Sequence, residues 1–276
     1  MEVGTMTHTR SLGALAIGIP LLLAACGSQA TAPASSPSPS MSMMPEASGN
    51  MTAKFVSPQT GAVVTTNSLD VKVAVTGYQL SCALAGKPPK EGIGHYHIEL
   101  DHALVNMYCT DSASISMRNV SAGQHTLTVL PALNNHEEVT KGKEDMTFTY
   151  QPASALPAIT AASLGTPSIT ILSPHNGDTV SGNFTVQVAI NNFNPSCDLF
   201  GKANLKGYGH WHINVDSMNG PMMGMGTMLG MSCAVTFQAS TQALTSGQHS
   251  FFALLVDNQH APLMPDVADK VDLIVK

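Results

Sequence analysis

Two segments of this 276-residue chain place histidines in alternation: Gly92-Ile93-Gly94-His95-Tyr96-His97 and Gly207-Tyr208-Gly209-His210-Trp211-His212. A neutral imidazole offers one nitrogen lone pair to a metal ion, and zinc and copper both accept it. Side chains two apart on a strand share a face. His95 and His97 therefore point one way with Glu99, while Tyr96, Ile98 and Leu100 point the other way into a core. The second segment keeps this parity, with His210, His212 and Asn214 set against Trp211, Ile213 and Val215. Two rings at this spacing can both reach one ion at ~2.0–2.1 Å, the zinc–nitrogen distance. The pair is half a site. Asp101 and Asp216 lie four residues beyond, ~13 Å along an extended strand, and join the same ion only if the strand has turned. His136 and His260, in Asn-rich turns after a strand, are the better third donors. His125 and His249 follow glycine where a turn enters a strand, and a hydrogen-bonding structural role suits them.

A second kind of donor sits nearby. Residues 217–233 read SMNGPMMGMGTMLGMSC, with Met218, Met222, Met223, Met225, Met228 and Met231, and the N-terminal region adds Met41, Met43, Met44 and Met51. Thioethers are soft ligands that select Cu(I). Met- and Gly-rich loops beside histidines resemble those of bacterial copper-handling proteins. The candidate ligand set is His95, His97, His136, His210, His212 and His260, with Met222, Met223, Met225 and Met228; copper is the first choice of ion and zinc the second. The insertion leads to the expectation that the second site is the softer and prefers Cu(I), while the first accepts Cu(II) or Zn(II). In the competing reading the histidines serve polar packing and the methionines are apolar filler.

The elements that position these residues come in two copies. An offset of 115 residues relates His95 to His210 and Cys82 to Cys197. Downstream, SAGQHTLTVLPALNNH matches TSGQHSFFALLVDNQH at an offset of 124, pairing His125 with His249 and His136 with His260. The extra residues fall between Asp216 and Cys233. Each copy is roughly 100 residues, the size of an immunoglobulin-like sandwich. Val71, Val73 and Val75 alternate with polar or small residues, as do Phe184, Val186, Val188 and Ile190, which is the pattern of half-buried strands. The Ser-Pro-x-x-Gly openings at Ser57 and Ser173 read as turns and resemble those of bacterial surface Ig-like modules. Of the five cysteines Cys26 stands apart near the N-terminus, and the remaining four allow three pairings. If each copy folds by itself, the bridges are Cys82–Cys109 and Cys197–Cys233, as expected of a chain outside the cytoplasm.

The N-terminus supplies the export signal. Residues 11–25, SLGALAIGIPLLLAA, are too short for a comfortable membrane span but suit the apolar stretch of a signal peptide, with Arg10 before it. Leu23-Ala24-Ala25-Cys26 resembles the bacterial lipobox, which implies cleavage before Cys26 and acylation of its thiol. Two acyl chains anchor a protein stably. The expected organisation is a signal peptide over 1–25 and a lipidated Cys26 with a disordered tether over 26–53. An Ig-like domain over 54–150, a linker over 151–167 and a second Ig-like domain over 168–276 follow. The fold class is all-β, two tandem immunoglobulin-like β-sandwiches. The protein would sit on the cell membrane or outer membrane, facing the periplasm or the cell exterior. Charged residues make up 11% of the chain and the net charge is −6, which argues against nucleic acid, whose phosphates need clustered Lys and Arg.

The Gly-His-x-His…Asp block with a later Gly-x-His-Thr and an Asn-x-His resembles a bacterial domain family of unknown function. The likeness spans Gly92 to about His136 and Gly207 to about His260. It implies an exported β-sandwich and no established activity; the cysteine pairs and the Met-rich insertion are departures from it. The chain carries no nucleophile elbow, His-Glu-x-x-His helix or phosphate loop, so binding rather than catalysis is expected. The leading reading is a membrane-anchored lipoprotein that binds copper and buffers it or passes it to another exported protein. The alternative is a structural or adhesive surface module.

Overall fold

The structure is a computed structural model that describes residues 50–218 and 226–276. Cys26, the signal peptide, and Met222, Met223 and Met225 lie outside the described residues. The first copy contributes β1 (Thr52–Ser57), β2 (Ala62–Val64), β3 (Ser68–Thr76), β4 (Gln79–Leu80), β5 (Ile93–Leu100), β6 (Ala103–Tyr108), β7 (Ser112–Ser116), β8 (Gly123–Leu133) and β9 (Glu144–Tyr150). The second contributes β10 (Ser168–Ser173), β11 (Thr179–Val180), β12 (Asn183–Asn191), β13 (Asn194–Pro195), β14 (Tyr208–Val215), β15 (Met228–Ser232), β16 (Thr236–Ser240), β17 (Gly247–Val256) and β18 (Ala268–Val275). Each copy stacks a three-stranded sheet, β1-β3-β7 or β10-β12-β16, on a larger one, β2-β9-β8-β5-β4 or β11-β18-β17-β14-β13. Strands β6 and β15 pair with β5 and β14.

The chain is all-β because its strands carry period-2 apolar patterns that need a facing sheet. Strand β3 buries Leu69, Val71 and Val73 while its alternate residues Ser68, Asp70, Lys72 and Ala74 stay exposed. These side chains pack on Tyr96, Ile98 and Leu100 of β5 and on Leu127, Val129 and Phe148. In the second copy Trp211, Ile213 and Val215 of β14 meet Ile169, Val186, Val188, Phe251, Leu255 and Leu273. Disulfides Cys82–Cys109 and Cys197–Cys233 close loops with sequence separations of 27 and 36 residues. Closures of this length contribute about 3–4 kcal/mol each on the chain-entropy account.

The copies also touch. Phe200 of the second copy packs on the first copy's core, and Arg118 Nε pairs with Asp198 at 2.9 Å. Gly86 and Gly201, both at positive φ, are where backbones meet. A Cβ on Gly86 would lie 2.5 Å from the Met228 carbonyl, and one on Gly201 would lie 2.7 Å from the Leu104 carbonyl.

Candidate metal centre

Strands β5 and β14 keep the parity expected of them, but the setting of their histidine faces differs from expectation. A face that carries histidines opposite the apolar set reads as solvent-facing. Instead His95, His97, His210 and His212 are at most 3% exposed. Each strand is covered on both faces, the second face by the other copy.

The third donor arrives by a turn. Strand β8 runs antiparallel to β5, placing Ala132 opposite His95 and Leu130 opposite His97. After Leu133 the chain reverses through Asn134, Asn135 and His136, and Leu133 N donates to Glu137 O at 2.9 Å. The reversal needs a left-handed residue, and His136 takes φ +63°. Non-glycine residues seldom adopt that conformation, and sites that hold them are commonly functional. His260 repeats the geometry at φ +67° after β17.

The ring nitrogens then converge. His95 Nε2 lies 3.1 Å from His97 Nε2 and 3.0 Å from His136 Nδ1, and the last two are 3.5 Å apart. In the second copy His210 Nε2 lies 3.0 Å from His212 Nε2 and 2.9 Å from His260 Nδ1, with 3.4 Å closing the triangle. The point equidistant from the first three nitrogens is about 1.9 Å from each. An ion at ~2.0–2.1 Å from each would stand a little under ~1 Å above their plane, as in a tetrahedral site with one position left over.

Hydrogen bonds on the outer nitrogens of His97, His136 and His260 set the tautomers of these three rings, whereas Nδ1 of His95 and of His210 is buried without a partner among the described residues. His97 Nδ1 meets Glu138 Oε1 at 2.8 Å; a carboxylate accepts, so this nitrogen carries the proton and Nε2 turns its lone pair inward. His136 Nε2 donates to Met228 O at 2.8 Å, which leaves Nδ1 as an inward lone pair. His260 Nε2 donates to Leu104 O at 2.8 Å with the same result. Metal-ligating histidines are commonly anchored in this way, through the other nitrogen on a carboxylate or a backbone carbonyl. Facing lone pairs repel, so either a proton on His95 Nε2 or a cation must stand between them.

Burial, reinforced by the neighbouring rings, holds His95, His210 and His212 well below the ordinary histidine range. Burial and then His97 take His136 down to about 3, and burial takes His260 to about 4. These rings are neutral at neutral pH, the form that binds metals. His212 feels His136, and His260 feels His97, so the two triads lie within electrostatic reach of each other.

The two capping carbonyls are reciprocal. Met228, on the second copy's β15, caps the first triad; Leu104, on the first copy's β6, caps the second. Met228 thus meets the first triad through its carbonyl. Asp101 and Asp216 end their strands at positive φ and serve the other histidines. Asp101 Oδ2 meets His125 Nδ1 at 2.7 Å, and Asp216 Oδ2 meets His249 Nδ1 at 2.7 Å.

Three contributors carried weak or no sequence signal. Glu138 follows His136 in NNHEEV, and its absence from the matching DNQHAPL was the available clue. The Leu104 and Met228 carbonyls had none. Gly86-Lys87 and Gly201-Lys202 recur in both copies, and both lysines prove buried. Lys87 Nζ donates to Ala83 O and, in the other copy, to Ser240 O, each at 2.7 Å.

Fold and site together define an all-β protein of sandwich-like sheets carrying two buried histidine triads. No protein-family model matches the chain, and no curated protein matches its sequence. Among solved structures it is similar to the fibronectin(III)-like modules of CbhA from Clostridium thermocellum, with TM-score 0.27 and 11% identity over 81% of this chain and 94% of that one. A tetra-tandem repeat from the extending region of a large adhesion protein gives TM-score 0.21 and 11% identity, covering 82% of this chain and 49% of that one. A putative membrane anchored protein from Corynebacterium diphtheriae gives 0.23 and 11%, over 82% and 58%. This chain therefore spans only about half the length of the last two. Among the described residues no helix is long and apolar enough to cross a membrane.

Proposed function

We propose that this chain is an exported, lipid-anchored protein that holds transition-metal ions in its two histidine triads, copper foremost, and catalyses no reaction on them. Export and anchoring rest on residues 11–26, with domains over 54–150 and 168–276 joined by a linker over 151–167. The Gly-His-x-His motif in both copies resembles that of a family of exported domains, which supports this reading. The observation that carries the metal reading is the convergence of three imidazole nitrogens within 3.5 Å in each copy. Proton-bearing outer nitrogens anchored on Glu138, Met228 and Leu104 add to it. A non-catalytic carrier of this kind would buffer an ion or pass it to another exported protein.

The test is the metal content of the full chain purified without a histidine tag, measured after exposure to Cu(I), Cu(II) and Zn(II) and removal of loose ions. The proposal expects one ion per triad, and one fewer when His136 or His260 is replaced by Asn. Sub-stoichiometric binding of every ion, unchanged by those substitutions, would return the histidines to a structural or adhesive module.

A further inference from the structure

The inner donors of the two triads are alike, yet their surroundings differ in charge. In the first copy the Glu138 carboxylate stands on His97 Nδ1 at 2.8 Å, and Glu99 shares the strand face of His95 and His97. In the second copy both positions are neutral. The bridge that pairs Ala132 with Glu138 pairs Val256 with Pro262, and Asn214 stands where β5 has Glu99. Phe200 adds apolar surface, its ring 4.4 Å from that of His210. The carboxyl group on this side is Asp257, which acts on His260 at longer range. Its oxygens are engaged by Asn204 Nδ2 and by the backbone N–H groups of Gln259 and Ala261.

We propose that the first triad takes a divalent cation and the second a monovalent one, Cu(I). Three neutral imidazoles lend an ion no charge. The cost of moving an ion out of water rises with the square of its charge, so a dication costs about four times as much as a monocation of equal size. The Glu138 carboxylate, on His97 Nδ1, offsets that cost at the first triad. At the second, among the described residues, no carboxylate hydrogen-bonds a ligand ring, and a neighbouring dication in the first triad would repel a second one. This rests on the metal reading and adds to it the class of ion that each triad holds. The difference here comes from carboxylate placement, while Met222, Met223 and Met225 of the insertion lie outside the described residues.

Zn(II) and Cu(I) are both closed-shell d10 ions, so neither brings a ligand-field preference to the comparison. Affinities would be measured by competition on the full chain, with Cu(I) under anaerobic reducing conditions. His260→Asn leaves only the first triad intact and His136→Asn only the second. The first triad should bind Zn(II) at least tenfold more tightly than the second, and the second should favour Cu(I). Glu138→Gln should lower Zn(II) affinity ten- to a hundredfold, the usual effect of losing such a partner, and lower Cu(I) affinity by less. Pro262→Glu should raise Zn(II) affinity at the second triad at least tenfold. Equal Zn(II) affinities at the two triads, or equal losses for both ions in Glu138→Gln, would overturn the charge assignment and leave the metal reading standing. Absence of stoichiometric binding of either ion would overturn both.

Discussion

Acidification should destabilise the ion-free protein through its buried histidines. In the folded chain His136 titrates near 3 and His260 near 4, against 6.5 for a free side chain. The unfolded chain therefore takes up these protons first as pH falls. Stability from the two rings is fully present above ~6.5 and is lost as pH drops toward the folded values. Each ring costs ~1.4 kcal/mol per pH unit in that window, hence ~2 kcal/mol by pH 5 and ~4 kcal/mol for the pair. A domain's whole stability is only ~5–15 kcal/mol. His95, His210 and His212, lowered for the same reason, act in the same direction. His249 opposes them. Burial lowers its pKa, but hydrogen bonds to Asp216 and the Thr245 carbonyl raise it on balance, so its contribution is present at low pH and fades as pH rises. Urea unfolding in chelator at pH 7 and pH 5, followed by the fluorescence of Trp211 between His210 and His212, reads the difference. His136→Asn keeps a side chain that tolerates the left-handed backbone and should shrink the pH 5 loss by ~2 kcal/mol. Equal stability at both pH values, or greater stability at pH 5, would refute the reasoning.

Cys26→Ser should release the protein from membranes or block its processing, and persistence in the membrane fraction through high salt and carbonate would reject the lipid anchor. Replacing both His210 and His212 with Ala should remove the second ion and also cost several kcal/mol of stability, because each substitution empties a buried site as large-to-small core changes do; unchanged urea midpoints would contradict the burial. Cleavage within 153–162, at a protease site introduced there, should leave the halves associated while ions are bound, since His136 and His260 each donate across the contact. Separation of the halves on gel filtration with ions still bound would count against that linkage.

The alternation in β5 and β14 was readable from local pattern alone, because strand geometry sends alternate side chains to opposite faces whatever lies beyond. The two-copy offsets likewise paired Cys82 with Cys197 and His136 with His260. His136 and His260 stood out as third donors because a turn after a strand can return a side chain over its neighbour. Local pattern could not say what covers a histidine-bearing face, since a strand's periodicity reports two faces and not their neighbours. Tertiary structure decided that the two copies cover each other. It also decided that Met228 and Leu104 cap the triads through carbonyls, a role any residue's backbone can fill and no side chain announces. It placed Glu138 on His97 and Pro262 at the matching point, because a bridge across the hairpin after β8 or β17 sets which residue lies behind which ring.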